Sequence, residues 1–226
     1  MYTGTGTSKP PSGPDKCLYE GDRHGSGATN CVEECNGKPV IYFYSPTTLS
    51  VNVLLDIPGF VTASIPTYPA NGWQNVLVHP NGTPDGTLRY EDKNYNELYY
   101  EDETIKAQSP TTGFVIKTSD LTSSLRTYTT KLGLTLGEQN EFIAYWVPKL
   151  TNLNSPYIFF SVFDATQKER VDHVIVSPVP ATTIAFLAYF KPLEKPVNVS
   201  PLQFPAVPKR VGFTMVEWGG TIDGAK

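Results

Sequence analysis

From Lys38 onward, apolar and polar positions follow two periods. Val40, Ile41, Tyr42, Phe43 and Tyr44 form a continuous β-branched and aromatic run, stopped by Ser45-Pro46. Leu49, Val51, Val53 and Leu55 then alternate with Ser50, Asn52 and Leu54, the period of a half-buried strand ended by Pro58-Gly59. Phe60–Ile65 and Trp73–Val78 are two more short runs. Thr87–Glu91 and Tyr95–Glu101 read as a hairpin about Asp92-Lys93-Asn94, and Phe114–Ile116 opens another strand. The period then changes. Leu121, Leu125, Tyr128 and Leu132 recur at helical spacing, with Ser119 or Asp120 as cap and Gly133 as the stop. Thr135-Leu-Gly-Glu138 is a capping box, and Phe142, Ile143, Tyr145 and Trp146 give the next helix its apolar face. Pro148 is expected to end or kink that helix. Strands resume at Tyr157–Phe163, Val171–Val176, Thr183–Phe190 and Val211–Trp218, the last broken by Gly219-Gly220. Pro192, Pro196, Pro201, Pro205 and Pro208 make the stretch between them an edge strand or an extended crossing, since proline donates no ladder hydrogen bond.

Around ten short strands separated by turn signals predict a mainly β protein. The expected architecture is an antiparallel β-sandwich with one inserted α-helical hairpin, about 119–148. Residues 38–222 form a single β-rich domain and 223–226 a tail. Residues 1–16 read as a Thr/Gly/Pro linker, without the basic and apolar regions of a signal peptide. Such a start suggests a piece of a longer chain, a mature protein that has lost its targeting segment, or an appended tail. Residues 17–37 are a cysteine-bearing lead-in.

Charge and composition narrow the function classes. Net charge is −4, and 18% of the 226 residues are charged, which opposes a basic nucleic-acid surface. The apolar runs are too short to span a membrane. Cys17, Cys31 and Cys35 precede the body of the chain. In an oxidising compartment, one pair among them forms a disulfide and one thiol is left over. With His24 they also supply the ligand types of a structural zinc site, although without the usual tight Cys-x2-Cys spacing. The sequons at Asn81 and Asn198 fit glycosylation and favour the oxidising, extracellular or cell-surface setting.

Seven phrases appear in order along the chain. They are Lys38-Pro-Val-Ile-Tyr-Phe-Tyr, Thr67-Tyr-Pro with Gly72-Trp73, Leu98-Tyr-Tyr-Glu101, Gly113-Phe-Val, Asn140-Glu-Phe-Ile-Ala-Tyr-Trp-Val-Pro148, Lys191-Pro-Leu and Gly212-Phe-Thr-Met-Val-Glu-Trp-Gly-Gly220. Together they resemble a bacterial family of uncharacterised, often exported proteins marked by KPVIYLYP, TYP…GW, LYWE, NEFIVYWLP and VVEWGG. The resemblance spans Lys38 to Ile222 and implies a domain boundary rather than a chemistry. Tyr100 stands where that family has Trp, and Ser45-Pro46 where it has Tyr-Pro.

Carboxylates sit beside aromatics in three of these phrases: Glu101, Glu141 and Glu217. Two of them converging on a cleft would suit glycoside hydrolysis, one kept protonated by apolar surroundings. Tyr44, Tyr68, Trp73, Tyr100, Trp146 and Trp218 are candidate binding aromatics for sugar faces or a protein partner. The competing expectation is that these rings are core and each Glu anchors a loop or helix.

Asp92, Asn94, Asn96 and Glu103 match some positions of a calcium loop, but Glu97 stands where glycine is needed. A looser calcium site would draw on Glu91, Asp92, Glu101, Asp102 and Glu103. His79 and His173 lack partners at metal spacing. Gly25-Ser26-Gly27 is only a fragment of a serine-hydrolase elbow and lies in the cysteine-bearing stretch, so that chemistry is discounted. No cofactor is expected beyond these zinc and calcium possibilities.

The chain therefore reads as a secreted or surface-displayed binding or structural module. Its expected contacts are a glycan, a protein or copies of itself, with no nucleic acid. The alternative is a carbohydrate-active hydrolase using paired Glu residues.

Overall fold

In the computed structural model, which describes residues 33–80 and 87–223, twelve strands form two sheets. They are β1 Glu33–Tyr44, β2 Leu49–Asp56, β3 Phe60–Ile65, β4 Trp73–Val78, β5 Leu88–Tyr90, β6 Lys93–Tyr95, β7 Leu98–Ile105, β8 Phe114–Lys117, β9 Tyr157–Val162, β10 His173–Ser177, β11 Thr182–Leu193 and β12 Thr214–Ile222. Helices α1 Leu121–Lys131 and α2 Leu136–Asn152 follow β8, and α3 Ala165–Val171 follows β9. The larger sheet runs β3-β7-β1-β12-β11-β9-β8, and the smaller runs β10-β2-β4-β5-β6. The sandwich is antiparallel except for β11 against β12, which are parallel. The proline-punctuated segment between them is the crossing that this pairing requires, because parallel neighbours cannot be joined by a tight turn.

The seven-stranded sheet is covered on both faces. Ile41, Phe43, Leu98, Tyr100 and Met215 pack against Val51, Val53, Trp73, Val76 and Val78 of the smaller sheet. On the opposite face Val40, Tyr42, Val216, Trp218 and Phe190 pack against Phe142, Trp146 and Leu150 of α2 and Leu125 of α1. Burial of both faces explains why Val40–Tyr44 is apolar throughout while β2 alternates. The helical hairpin thus makes a third layer. A smaller cluster of Phe159, Phe163, Val171, Leu187 and Tyr189 holds α3 beside the smaller sheet.

Several boundaries differ from the sequence expectation. α2 passes through Pro148 to Asn152, because Leu150 two residues further is fully buried against the sheet and offsets the missing backbone donor. Residues 165–171 form a helix the sequence reading did not expect, and Val171 ends it rather than opening a strand; Asp164 caps the helix by accepting from the Gln167 amide at 2.9 Å.

The hairpin near residue 92 is shorter than expected. It joins β5 to β6 through Glu91 and Asp92, both left-handed at φ 45° and 62°. β7 belongs instead to the other sheet, between β3 and β1. Gly219 and Gly220 lie inside β12 rather than ending it. A Cβ on Gly220 would come within 2.7 Å of the Trp146 ring, so glycine is what lets α2 settle on the strand. β1 already begins at Glu33, within the expected lead-in, and Cys35 pairs with Glu103. Asp223 is no tail residue. It accepts from Lys106 at 2.8 Å and Tyr189 at 2.6 Å.

Candidate functional site

The motif carboxylates separate onto two faces of the seven-stranded sheet. Strand alternation places Glu101 and Tyr99 toward the helices, and Tyr100 and Asp102 toward the smaller sheet. In β12 the same alternation sends Trp218 to the helical face and Glu217 to the other.

On the helical face, α2 stands on a row of tyrosines. Tyr44 donates to Glu138 at 2.6 Å, Tyr42 donates to Glu141 at 2.6 Å, and Tyr99 donates to Glu101 at 2.5 Å. Tyr145 lies 3.5 Å from the same Glu101 oxygen. Positions 138, 141 and 145 recur at helical spacing, so one stripe of α2 meets the sheet through these contacts. Burial lifts the Glu101 carboxyl above the usual range, and the Tyr99 and Tyr145 hydroxyls offset part of that. Glu138 goes the other way. Burial raises it, but Arg210, Tyr44 and the Thr135 amide hold it below the ordinary value. Arg210 grips Glu138 through two nitrogens at 2.6 and 2.8 Å and lies over the Tyr44 ring.

On the opposite face lies a buried polar cluster. Lys168 of α3 donates to Glu217 at 2.9 Å and to the Asp172 carbonyl at 2.7 Å. Its Nζ is also 3.5 Å from the Asp172 carboxylate oxygen Oδ2. Tyr100 donates to Asp172 Oδ1 and lies 3.3 Å from Glu217. Burial works against the Lys168 ammonium, yet Asp172 and Glu217 hold its pKa above that of an ordinary lysine. Burial pushes Glu217 up to about 8, with Lys168 opposing and Asp172 reinforcing. These directions agree physically. Two carboxyl groups share one ammonium in a dry site, so one proton is retained, and it resides on Glu217. Sequence reasoning singled out Tyr100 and Glu217 but missed Lys168 and Asp172, whose i, i+4 spacing on a short helix was the available signal.

Lys168 also lines a cleft of about 630 Å³. Its walls are the loop Gln108–Thr112, the start of α3, the Thr183–Phe186 stretch of β11, and the crossing segment from Leu202 to Pro208. β9 pairs only with Ala188–Leu193 of β11, which leaves the strand's earlier half beside the cleft. The crossing segment is pinned by Gly113 donating to the Ser200 carbonyl at 2.9 Å and by Phe204 stacking near Phe114 and Tyr128. The lining is mostly neutral, with Thr111, Thr112, Thr183, Gln108 and Gln167 offering hydrogen bonds beside Phe163 and Phe186.

The expected binding aromatics are mostly interior. Trp73, Tyr100, Trp146 and Trp218 are fully buried and face the cores, so they offer no stacking surface. Tyr68 is half-buried, edge-on to Trp73, and its hydroxyl accepts from the Leu55 amide at 2.8 Å. Tyr44 is half-buried between Glu138 and Arg210. Glu217 cannot pair with Glu101 or Glu141 across one cleft, because the sheet separates them.

The calcium grouping also divides. Glu91 and Asp92 sit in the β5–β6 turn, whereas Glu101, Asp102 and Glu103 lie in β7 of the other sheet. Among the described residues no group of three His, Cys, Asp or Glu is placed to hold a metal ion. Cys17, His24, Cys31 and Asn81 lie outside the described residues, and for Cys35 only the backbone is described. Asn198 is exposed on the crossing segment. Among the described residues, no helix is long and apolar enough to cross a membrane. No family model matches this chain, and neither a curated protein nor a solved structure shows detectable similarity to it.

Proposed function

We propose that the chain is an extracellular or cell-surface binding module that takes a glycan or a protein segment in the cleft beside β11. The cleft itself carries this reading. Among the described residues Asp164 is the only carboxylate on its lining, without the opposed acid pair of a glycosidase, while the hydroxyl and amide groups there match an uncharged polar ligand. The cysteines near the start of the sequence, the exposed sequon at Asn198 and the resemblance to an exported family support the setting. A glycan array, with sedimentation to detect self-assembly, tests the reading. Binding that is lost in Ala185→Arg, which fills the cleft, is the expected result. A strict monomer with no glycan or protein ligand would remove the proposal.

The alternative, hydrolysis of carbohydrate, is now confined to Glu101 and Glu141. What favours it is that α2 brings both carboxyls to one tyrosine-lined seam, with Glu101 biased toward its protonated form by burial. Glu101→Gln and Glu141→Gln, assayed on fluorogenic glycosides, decide it. Activity unchanged in both variants, or absent from the parent, ends this reading.

A further inference from the structure

We infer that Lys168 and Asp172 are the two ends of an intramolecular amide cross-link, formed by the chain itself with Glu217 as the acid–base group. The parts needed for such a bond meet in one buried place. Lys168 is the nucleophile, and Nζ rests 3.5 Å from Asp172 Oδ2. That Asp172 oxygen is buried and faces the Lys168 ammonium without a formed hydrogen bond, at a separation a small side-chain shift would close. The other Asp172 oxygen takes the Tyr100 hydroxyl, which draws electron density from the carboxyl carbon and makes it a better electrophile. Glu217 touches the nitrogen at 2.9 Å and reaches Tyr100 at 3.3 Å, which places it to relay protons between nitrogen and oxygen.

The step balances without a further reagent. A proton first moves from the Lys168 ammonium to the Asp172 carboxylate, giving an amine and a carboxylic acid. The nitrogen lone pair attacks the Asp172 Cγ and the C–N bond forms. Glu217, protonated at rest, gives its proton to the departing hydroxyl and takes one from the nitrogen. The C–O bond breaks and water leaves into the cleft that Lys168 lines. Two hydrogens from nitrogen and one oxygen from Asp172 make that water, and Glu217 ends as it began.

Burial supplies the driving force. In water the ion pair is well solvated and the amide is not favoured. Here both partners are almost wholly removed from solvent, so replacing an ammonium and a carboxylate by a neutral amide relieves their desolvation. The ammonium form dominates at rest because its neighbours favour it. A reaction that occurs once per molecule tolerates a small neutral fraction, and fixed proximity raises its rate.

Peptide mapping of the purified, denatured protein tests this. Trypsin still cuts after Arg170, so a cross-link leaves the peptide ending at Arg170 joined to the one beginning at Val171. The joined species is one water lighter than the sum, with no cut after Lys168. Separate peptides with cleavage after Lys168 would overturn the inference, as would a join from Lys168 to the peptide that carries Glu217. Glu217→Gln keeps the shape and is expected to leave the peptides unjoined. Complete joining in that variant would remove Glu217 from the reaction. The readout on the unaltered protein does not depend on any variant folding.

Discussion

Tyr42 donates its hydroxyl to the Glu141 carboxylate at 2.6 Å across 99 residues of chain. The bond joins the first long strand to the second helix, and it repeats one step away as Tyr44 to Glu138. The tyrosines of β1 are therefore attachments for α2. Replacing Tyr42 by Phe is expected to lower stability by about 1.5–3 kcal/mol, the range for a hydrogen bond to a charged acceptor. A double-mutant cycle with Glu141→Gln in urea should show coupling, and purely additive losses would mean the bond contributes nothing.

Glu217 makes stability depend on pH. Its folded pKa, about 8, lies above the ordinary value of 4.5. The folded protein therefore retains a proton that the unfolded chain releases. The contribution is fully present below about pH 4.5 and is lost as pH rises through about 8. Thermal melts between pH 5 and 9 should show Tm falling with pH, and Glu217→Gln should flatten that slope. An unchanged slope would place the proton elsewhere.

Asp223 gives the opposite slope. Burial raises its pKa, but hydrogen bonds from Lys106, Tyr189 and Lys191 hold it well below the ordinary aspartate value of 3.8. Its stabilisation is present above that value and disappears as pH falls through the lower folded one. Asp223→Asn is expected to destabilise at pH 7 and to converge on the parent in strong acid. A constant difference across that range would show that packing, not charge, is responsible.

Gly220 marks where α2 touches the sheet. In Gly220→Ala the new methyl would meet the Trp146 ring at 2.7 Å and the Ala188 carbonyl oxygen at 3.1 Å. Overpacking of this kind costs about 1–3 kcal/mol. A shift of that size in the urea midpoint is the check, and an unshifted midpoint would mean α2 moves freely on the strand.

Arg210 holds the crossing segment that walls the cleft. It donates to Glu138 at 2.6 Å and to the Gly133 carbonyl at 2.9 Å. Arg210→Met keeps the stem and removes the fork. Limited proteolysis should then cut within residues 201–209 faster than in the parent, and the same variant should weaken any ligand bound in the cleft. Equal cutting rates would show that the Gly113–Ser200 hydrogen bond and Phe204 secure the segment without Arg210.

The sequence by itself determined the elements, because local periodicity is enough for them. Alternation marked β2, the continuous apolar and aromatic run marked β1 as a strand, and the capping box placed the start of α2 at Leu136. The prolines between β11 and β12 announced an edge strand or a crossing. Tertiary contact decided what local pattern does not encode. Pro148 stayed inside a helix because Leu150 is buried beyond it. Gly220 stayed inside a strand because Trp146 from elsewhere needs its space, and Gly219 beside it is crowded by Pro39 and Leu187.

The motif carboxylates show the same division. Glu101, Glu141 and Glu217 look alike in sequence, each beside an aromatic ring. Strand alternation and sheet order sent the first two to the helices and the third to a lysine on α3. A carboxyl group's chemistry depends on its burial and on the charges around it, and those come from distant parts of the chain.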